Sequence, residues 1–114
     1  DERLDPEDDF PVFAGRVCTA VLGSDDADAR GILLCGSGQG MCMAANRYKG
    51  IRASLCWDRA SAREARNDDD ANVLCLPAKL LETNEADIIV ETWLNTPFAN
   101  AARFVRRLKE IDEL

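Results

Sequence analysis

The segment Gly31-Ile32-Leu33-Leu34-Cys35-Gly36-Ser37-Gly38-Gln39-Gly40-Met41 constrains the fold more than any other stretch of this chain. An apolar run ends in a cysteine and passes directly into a turn with glycine at alternate positions. The run reads as a buried strand from Ile32 to Cys35, and residues 41–47 read as a helix. Gly36, Gly38 and Gly40 let successive backbone N–H groups converge on one point. Such a nest at the positive end of a helix holds an anion. Cys35 falls at the C-terminal edge of its strand, where open α/β sheets bind ligands. A thiol beside a helix N-terminus is stabilised as the thiolate and can serve as a base or a nucleophile. A plainer reading assigns the glycines to tight packing and the cysteine to the core as a small hydrophobe. The spacing G-x-G-x-G matches neither the dinucleotide fingerprint nor the phosphate loop.

The remaining segments fit the same architecture. Asp9 is a candidate N-cap and Pro11 suits a first turn, so a helix is expected to about Leu22, with Phe13, Val17, Ala20 and Val21 on one face. Gly23-Ser24-Asp25-Asp26 stops it. Strands are expected over 51–56 and 72–76, separated by a helix over 59–67 whose Ala62 and Ala65 face inward. The third strand is short and uninterrupted, as a parallel sheet requires. A helix over about 84–95 carries Ala86, Ile89, Val90 and Trp93 on one stripe. A last helix, over about 98–112, has Phe98, Ala101, Ala102, Val105, Leu108 and Ile111 as its apolar positions. Arg103 and Arg107 share another face of it, with Arg106 beside them. Such arginines either form a solvated face near a helix C-terminus or clamp a phosphate. Strands alternating with helices predict an α/β fold with a parallel sheet and right-handed crossovers. At 114 residues the chain holds one domain at most.

Composition removes several classes of function. Fourteen basic against 21 acidic residues give a net charge of -7, which argues against a nucleic-acid or membrane-surface partner. The acidic run Asp68-Asp69-Asp70 reads as a solvated face. Five cysteines at 18, 35, 42, 56 and 75 include no C-x-x-C pair, and there is no histidine. That pattern suits reduced thiols in a cytoplasmic protein, with no zinc site and no cofactor expected. Without histidine, proton transfer near neutral pH falls to Cys, Asp, Glu or Lys. No signal peptide and no membrane-spanning apolar run is expected.

Several stretches together resemble a known family. They are the glycine-turn segment 31–41, Ala44-Ala45-Asn46-Arg47, Gly50-Ile51-Arg52-Ala53, Asp70-Ala71-Asn72-Val73-Leu74 and Trp93-Leu94-Asn95-Thr96. In order and spacing they are similar to the type B ribose-5-phosphate isomerases, a family that also contains the galactose-6-phosphate isomerase subunits. The resemblance covers about residues 9–111. It implies a Rossmann-like three-layer α/β/α fold with a parallel sheet and a long C-terminal helix reaching a partner subunit. It also implies aldose–ketose isomerisation of a small sugar phosphate through an enediolate. Members form dimers or tetramers whose active sites are shared between subunits. By this resemblance Cys35 is the base, and Gly36, Ser37, Gly38, Gln39 and Gly40 form the anion-hole turn. Arg103 and Arg107 bind phosphate in the partner's site, and Lys79 stands where an arginine commonly contacts phosphate.

The chain departs from the family pattern at three places. Asp68 stands where the family has a histidine that helps open the sugar ring, and Asp69 stands where asparagine is usual. Phe104 replaces the histidine that follows Arg103. The family's N-terminal strand, helix and second strand are not matched in this sequence. The resemblance therefore leaves open a fragment, one piece of a split protein, or a domain completed by another polypeptide. The expected function is an intramolecular oxidoreductase acting on a phosphorylated sugar, with Cys35, Ser37 and Asp68 catalytic. Gly36, Gly38, Gln39, Gly40, Asp69, Lys79, Arg103 and Arg107 are expected to bind substrate. The alternative is a non-catalytic relative serving as a structural or regulatory subunit. A third reading makes Cys35 a redox-sensing thiol.

Overall fold

The computed structural model describes residues 5–114. Its elements are α1 (Phe10–Gly23), β1 (Gly31–Cys35), α2 (Gln39–Ala45), β2 (Ala53–Leu55), α3 (Arg59–Asn67), β3 (Val73–Pro77), a 3-10 turn (Ala78–Leu80), α4 (Thr83–Asn95) and α5 (Ala102–Asp112). The three strands form one parallel sheet in the order β1-β3-β2. β3 is central and buried along its whole length, so its sequence VLCLP must be apolar on both faces.

Alternation along β3 divides the core into two layers. Val73 and Cys75, with Leu33 of β1, pack against Ala14 and Cys18 of α1 and Met41 and Ala45 of α2. Leu74 and Leu76 face the other way, onto Ala62 and Ala65 of α3 and Ile89 and Trp93 of α4. Helices therefore cover both faces of the sheet. The inward stripe expected for α4 is present: Ile89 and Trp93 are buried, and Ala86 and Val90 are half-buried.

Three elements differ from the sequence expectation. In α1 the buried residues are Ala14 and Cys18, with Phe13, Val17 and Val21 flanking them, while Ala20 is exposed. The inward stripe is thus displaced by one residue. Asp9 occupies the N-cap position but makes no side-chain capping bond. The last helix starts at Ala102 rather than near Phe98. Asn100 lies in the left-handed region at φ 60, which no helix can continue through. Phe98 is therefore outside the helix and meets Phe104 from the side, with ring centroids 6.5 Å apart. Phe104 becomes the buried anchor of α5, and Val105 is left exposed.

β2 is three residues long instead of six, and its flanks explain why. Arg52 is held by Asn72, whose Oδ1 accepts its N–H at 2.7 Å while the Arg52 carbonyl accepts from Asn72 N and Val73 N. On the outer side, the Asn46 amide donates to the Ala53 carbonyl at 2.9 Å and accepts from the Ala53 N–H at 2.8 Å. A side-chain amide on α2 thus occupies the place of a neighbouring strand and closes that edge. α2 itself runs from Gln39 to Ala45, two residues earlier at each end than expected.

Candidate active site

Cys35 ends β1, with Pro77 as its neighbour across the sheet. The chain then turns sharply through Gly38, which is buried at φ 78. A Cβ there would sit 2.4 Å from Leu55 Cδ1 and 3.2 Å from both Leu76 C and Pro77 N. Conformation and space both require glycine at this position. The turn brings the N–H groups of Met41, Gly38, Ser37 and Gly40 onto the Cys35 sulfur. Burial pushes the thiol up, but these four donors outweigh it and hold Cys35 below its ordinary value. The sulfur is half-buried and Ser37 beside it is exposed, so the cradle opens to solvent.

Lys79 completes this edge. Its N–H donates to the Gly36 carbonyl at 3.0 Å. Its methylenes lie over Gly36, where an added Cβ would be 3.0 Å from Cε and 3.3 Å from Nζ. Cys35, Gly36, Ser37, Gly38, Gly40 and Lys79 are therefore brought together. Gln39 differs: its N–H approaches Ser37 Oγ at 3.4 Å and is not among the groups facing the sulfur. Met41 is the donor that sequence reasoning missed. Its signal was present, because first-turn N–H groups of a helix have no intrahelical partner.

A second set of residues gathers on the loop between α3 and β3. Arg66 is 3% exposed and donates to Asp70 Oδ1 at 2.8 Å, the Ala71 carbonyl at 2.6 Å and the Thr96 carbonyl at 3.2 Å. Asp70 sits at φ 47 and also receives Arg52, through its carbonyl at 2.9 Å and its Oδ2 at 3.2 Å. Two arginines thus lock a left-handed aspartate and hold the loop that presents Asp68 and Asp69. Asp68 Oδ1 accepts from Asn67 Nδ2 at 2.7 Å.

Asp69 lines a cavity of about 340 Å³ with Asn46, Arg52 and Ser54, covered by Leu108 and Ile111 of α5. Partial burial and the neighbouring Asp68 charge raise its carboxyl above the usual range, with Arg107 pulling it down and Glu64 adding to the rise. The Arg107 charge therefore acts on the acidic loop of its own chain. Arg103 and Arg107 are exposed, and the Arg103 guanidinium lies 4.3 Å from the centroid of the Phe104 ring.

The two sets stand at opposite edges of the sheet. Asp68 and Asp69 precede the first residue of β3, whereas Cys35 lies beside its last. Five residues of strand separate the edges by about 15 Å. One chain does not bring Asp68, Asp69, Arg103 and Arg107 to Cys35. Among the described residues, no group of three or more His, Cys, Asp or Glu side chains could hold a metal. Nor is any described helix long and apolar enough to cross a membrane.

Comparison with known proteins places this geometry. The family model for Ribose/Galactose Isomerase matches residues 2–111. The chain belongs to the Ribose/Galactose Isomerase family. A probable ribose-5-phosphate isomerase B of Mycoplasma genitalium is 42% identical over 108 residues, which is 95% of this chain and 70% of that protein. The D-erythrulose-4-phosphate isomerase of Pectobacterium atrosepticum is 38% identical over 99 residues, 86% of this chain and 65% of that protein. The structure of ribose-5-phosphate isomerase B from Mycoplasma genitalium with bound ribulose-5-phosphate superposes with a TM-score of 0.89 at 38% identity, covering 99% of this chain and 73% of that one. In this member of the Ribose/Galactose Isomerase family, the parallel sheet flanked by helices carries the glycine cradle at one edge and the acidic loop at the other.

Proposed function

We propose that this chain interconverts an aldose phosphate and its ketose, of the ribose 5-phosphate and ribulose 5-phosphate type, with Cys35 as the base. The observation that carries the reading is the convergence of four backbone N–H groups on a half-buried thiol at the C-terminal edge of the sheet. The Cys35 thiolate takes the proton from the carbon next to the carbonyl, leaving an enediolate. Negative charge on the enediolate oxygen develops beside the amides of the Ser37–Met41 turn, where fixed dipoles stabilise it most. The protonated Cys35 then returns its proton to the adjacent carbon while the hydroxyl proton passes from one enediolate oxygen to the other, which exchanges aldehyde for ketone with no net gain or loss of electrons. The Ser37 hydroxyl stands beside the same oxygen, and the Lys79 ammonium adds positive charge at the rim.

The phosphate clamp comes from a second copy in this proposal. Arg103 and Arg107 of one copy reach the Cys35 edge of another, in a homodimer or a homotetramer. Asp68 and Asp69 travel with them: Asp68 moves protons during ring opening, and Asp69, with Gln39, contacts the sugar. The relatives' names support the reaction class, and the separation of the two residue sets supports the sharing. One observation favours a different role. Asp69 lies within electrostatic reach of Arg107, and an acidic neighbour disfavours a phosphate there, which suits a non-catalytic subunit.

Solvent exchange separates the two. Ribulose 5-phosphate has no furanose ring to open, so deuterium incorporation next to its carbonyl, followed by NMR, reads proton transfer alone. The expected result is exchange by the wild-type protein and a loss of about 10²–10⁴-fold in Cys35→Ala, the range for removing a positioned base. No exchange from the folded wild-type protein would establish the non-catalytic role instead.

A further inference from the structure

We propose that two copies of this chain associate across a two-fold axis at α2, through the apolar groove beside the Cys35 cradle, so that each copy carries its Arg103 and Arg107 to the other's thiol. The inference rests on the shared site proposed above and names the surface that makes the sharing possible.

The surface follows from the sequence of α2. Met41 and Ala45 are its buried residues. Gly40, Met43, Ala44 and Arg47, spaced three and four apart, form a stripe on another side of it. Phe10 and Pro11 of α1 border that stripe, and together these six residues line a groove of about 690 Å³. Met43 is 70% exposed and Phe10 45%. A thioether and an aromatic ring left side by side in water mark a contact face. The groove is continuous with the cradle, because the Phe10 ring lies on Gly40, where an added Cβ would be 2.8 Å from Cζ.

The fold then selects the occupant. Cys35 and its amides stand at the N-terminal end of α2. The chain's own α5 stands at the other end, where Ile111, Asp112 and Leu114 share a cavity with Arg47, Tyr48 and Lys49. The seven residues of α2 put about 10 Å between these ends. A second α2 laid antiparallel on the first reverses the ends. The α5 of each copy then comes beside the cradle of the other, and one isologous contact completes both sites. A parallel arrangement would set cradle against cradle and complete neither.

Charge favours the same arrangement. At the cradle end Asp8 and Asp9 precede Phe10, and at the far end Arg47 and Lys49 follow α2. All four are exposed, and among the described residues none of them is in an ion pair. Antiparallel contact sets the basic end of each copy against the acidic end of the other. Parallel contact sets like against like.

The test reads assembly mass by sedimentation equilibrium, with deuterium exchange on ribulose 5-phosphate followed on the same samples. Met43→Arg places a charge in the middle of the contact. It should halve the wild-type mass, from dimer to single chain or from tetramer to dimer. Its dissociation constant should rise about 30-fold or more, the change for losing a central anchor. Circular dichroism checks that the variant is folded. Arg47→Glu and Asp9→Arg should each weaken association by about tenfold, since each sets like charges together twice in the assembly. The double variant should associate more tightly than either single one. If Met43→Arg does not fold, these three variants decide the matter. A wild-type mass in folded Met43→Arg, or a double variant no tighter than the single ones, would overturn the proposal. So would a wild-type protein of single-chain mass across the micromolar range. Exchange is read separately: its absence in the wild-type protein would remove the isomerase reading, while the masses would still decide the interface.

Discussion

Gly38 carries two demands at once: a left-handed backbone, and a backbone-to-backbone approach to β3 that leaves no room for a methyl group. Gly38→Ala should therefore destabilise the fold by about 2–4 kcal/mol, from strain and overpacking together. Chemical denaturation checks this, and an unchanged midpoint would refute it. The Asp69 carboxyl gives a prediction of opposite sign. Its folded pKa is raised, by partial burial and then by Asp68. Whatever it contributes is present below the unfolded carboxylate pKa and is lost as pH rises through the folded value. At neutral pH the ionised Asp69 is a burden, so Asp69→Asn should melt slightly higher than wild type. That gap should close as pH falls through the carboxylate range. Melting curves at several pH values test both parts. At this scale the sequence showed Cys35 and the glycines because their pattern is local. It did not show Arg66 as a clamp, because its partner Thr96 lies 30 positions away.

Elements were legible where their periodicity was undisturbed. β1, β3, α3 and α4 fell close to their expected positions, since each has an uninterrupted apolar pattern bounded by turn residues. α5 was misread because its apolar spacing extends back through Phe98, and only the left-handed Asn100 shows that the helix begins later. β2 was overextended because an apolar run does not reveal that Asn46 and Asn72 have already taken its flanking backbone groups. The α3–β3 connection depends on the buried Arg66, which ties Asp70 and Ala71 to Thr96 beyond α4. Arg66→Ala would leave Asp70 without its shorter ion pair and bury two carbonyls without this donor. The expected cost is about 3–5 kcal/mol, as for breaking a buried pair from one side. A loss below 1 kcal/mol, within the range of an exposed pair, would show that the clamp is not what holds the loop.

For the whole molecule, the parallel sheet is the decisive fact. It sets Cys35 and its amides at one edge and the acidic loop with Arg107 at the other. Sequence order brings Asp68 and Cys35 into one reading of the site, but strand direction keeps them apart within a chain. The account therefore rests on two copies exchanging opposite edges. It is tested by co-expressing Cys35→Ala and Arg107→Ala chains carrying different tags, purifying the mixed assembly, and measuring ribose 5-phosphate isomerisation. Each variant alone should be nearly inactive. In a mixed dimer one site carries both lesions and the other carries neither, so the mixture should recover about half of the wild-type rate per assembly. Recovery no greater than the two variants measured separately would contradict the shared site.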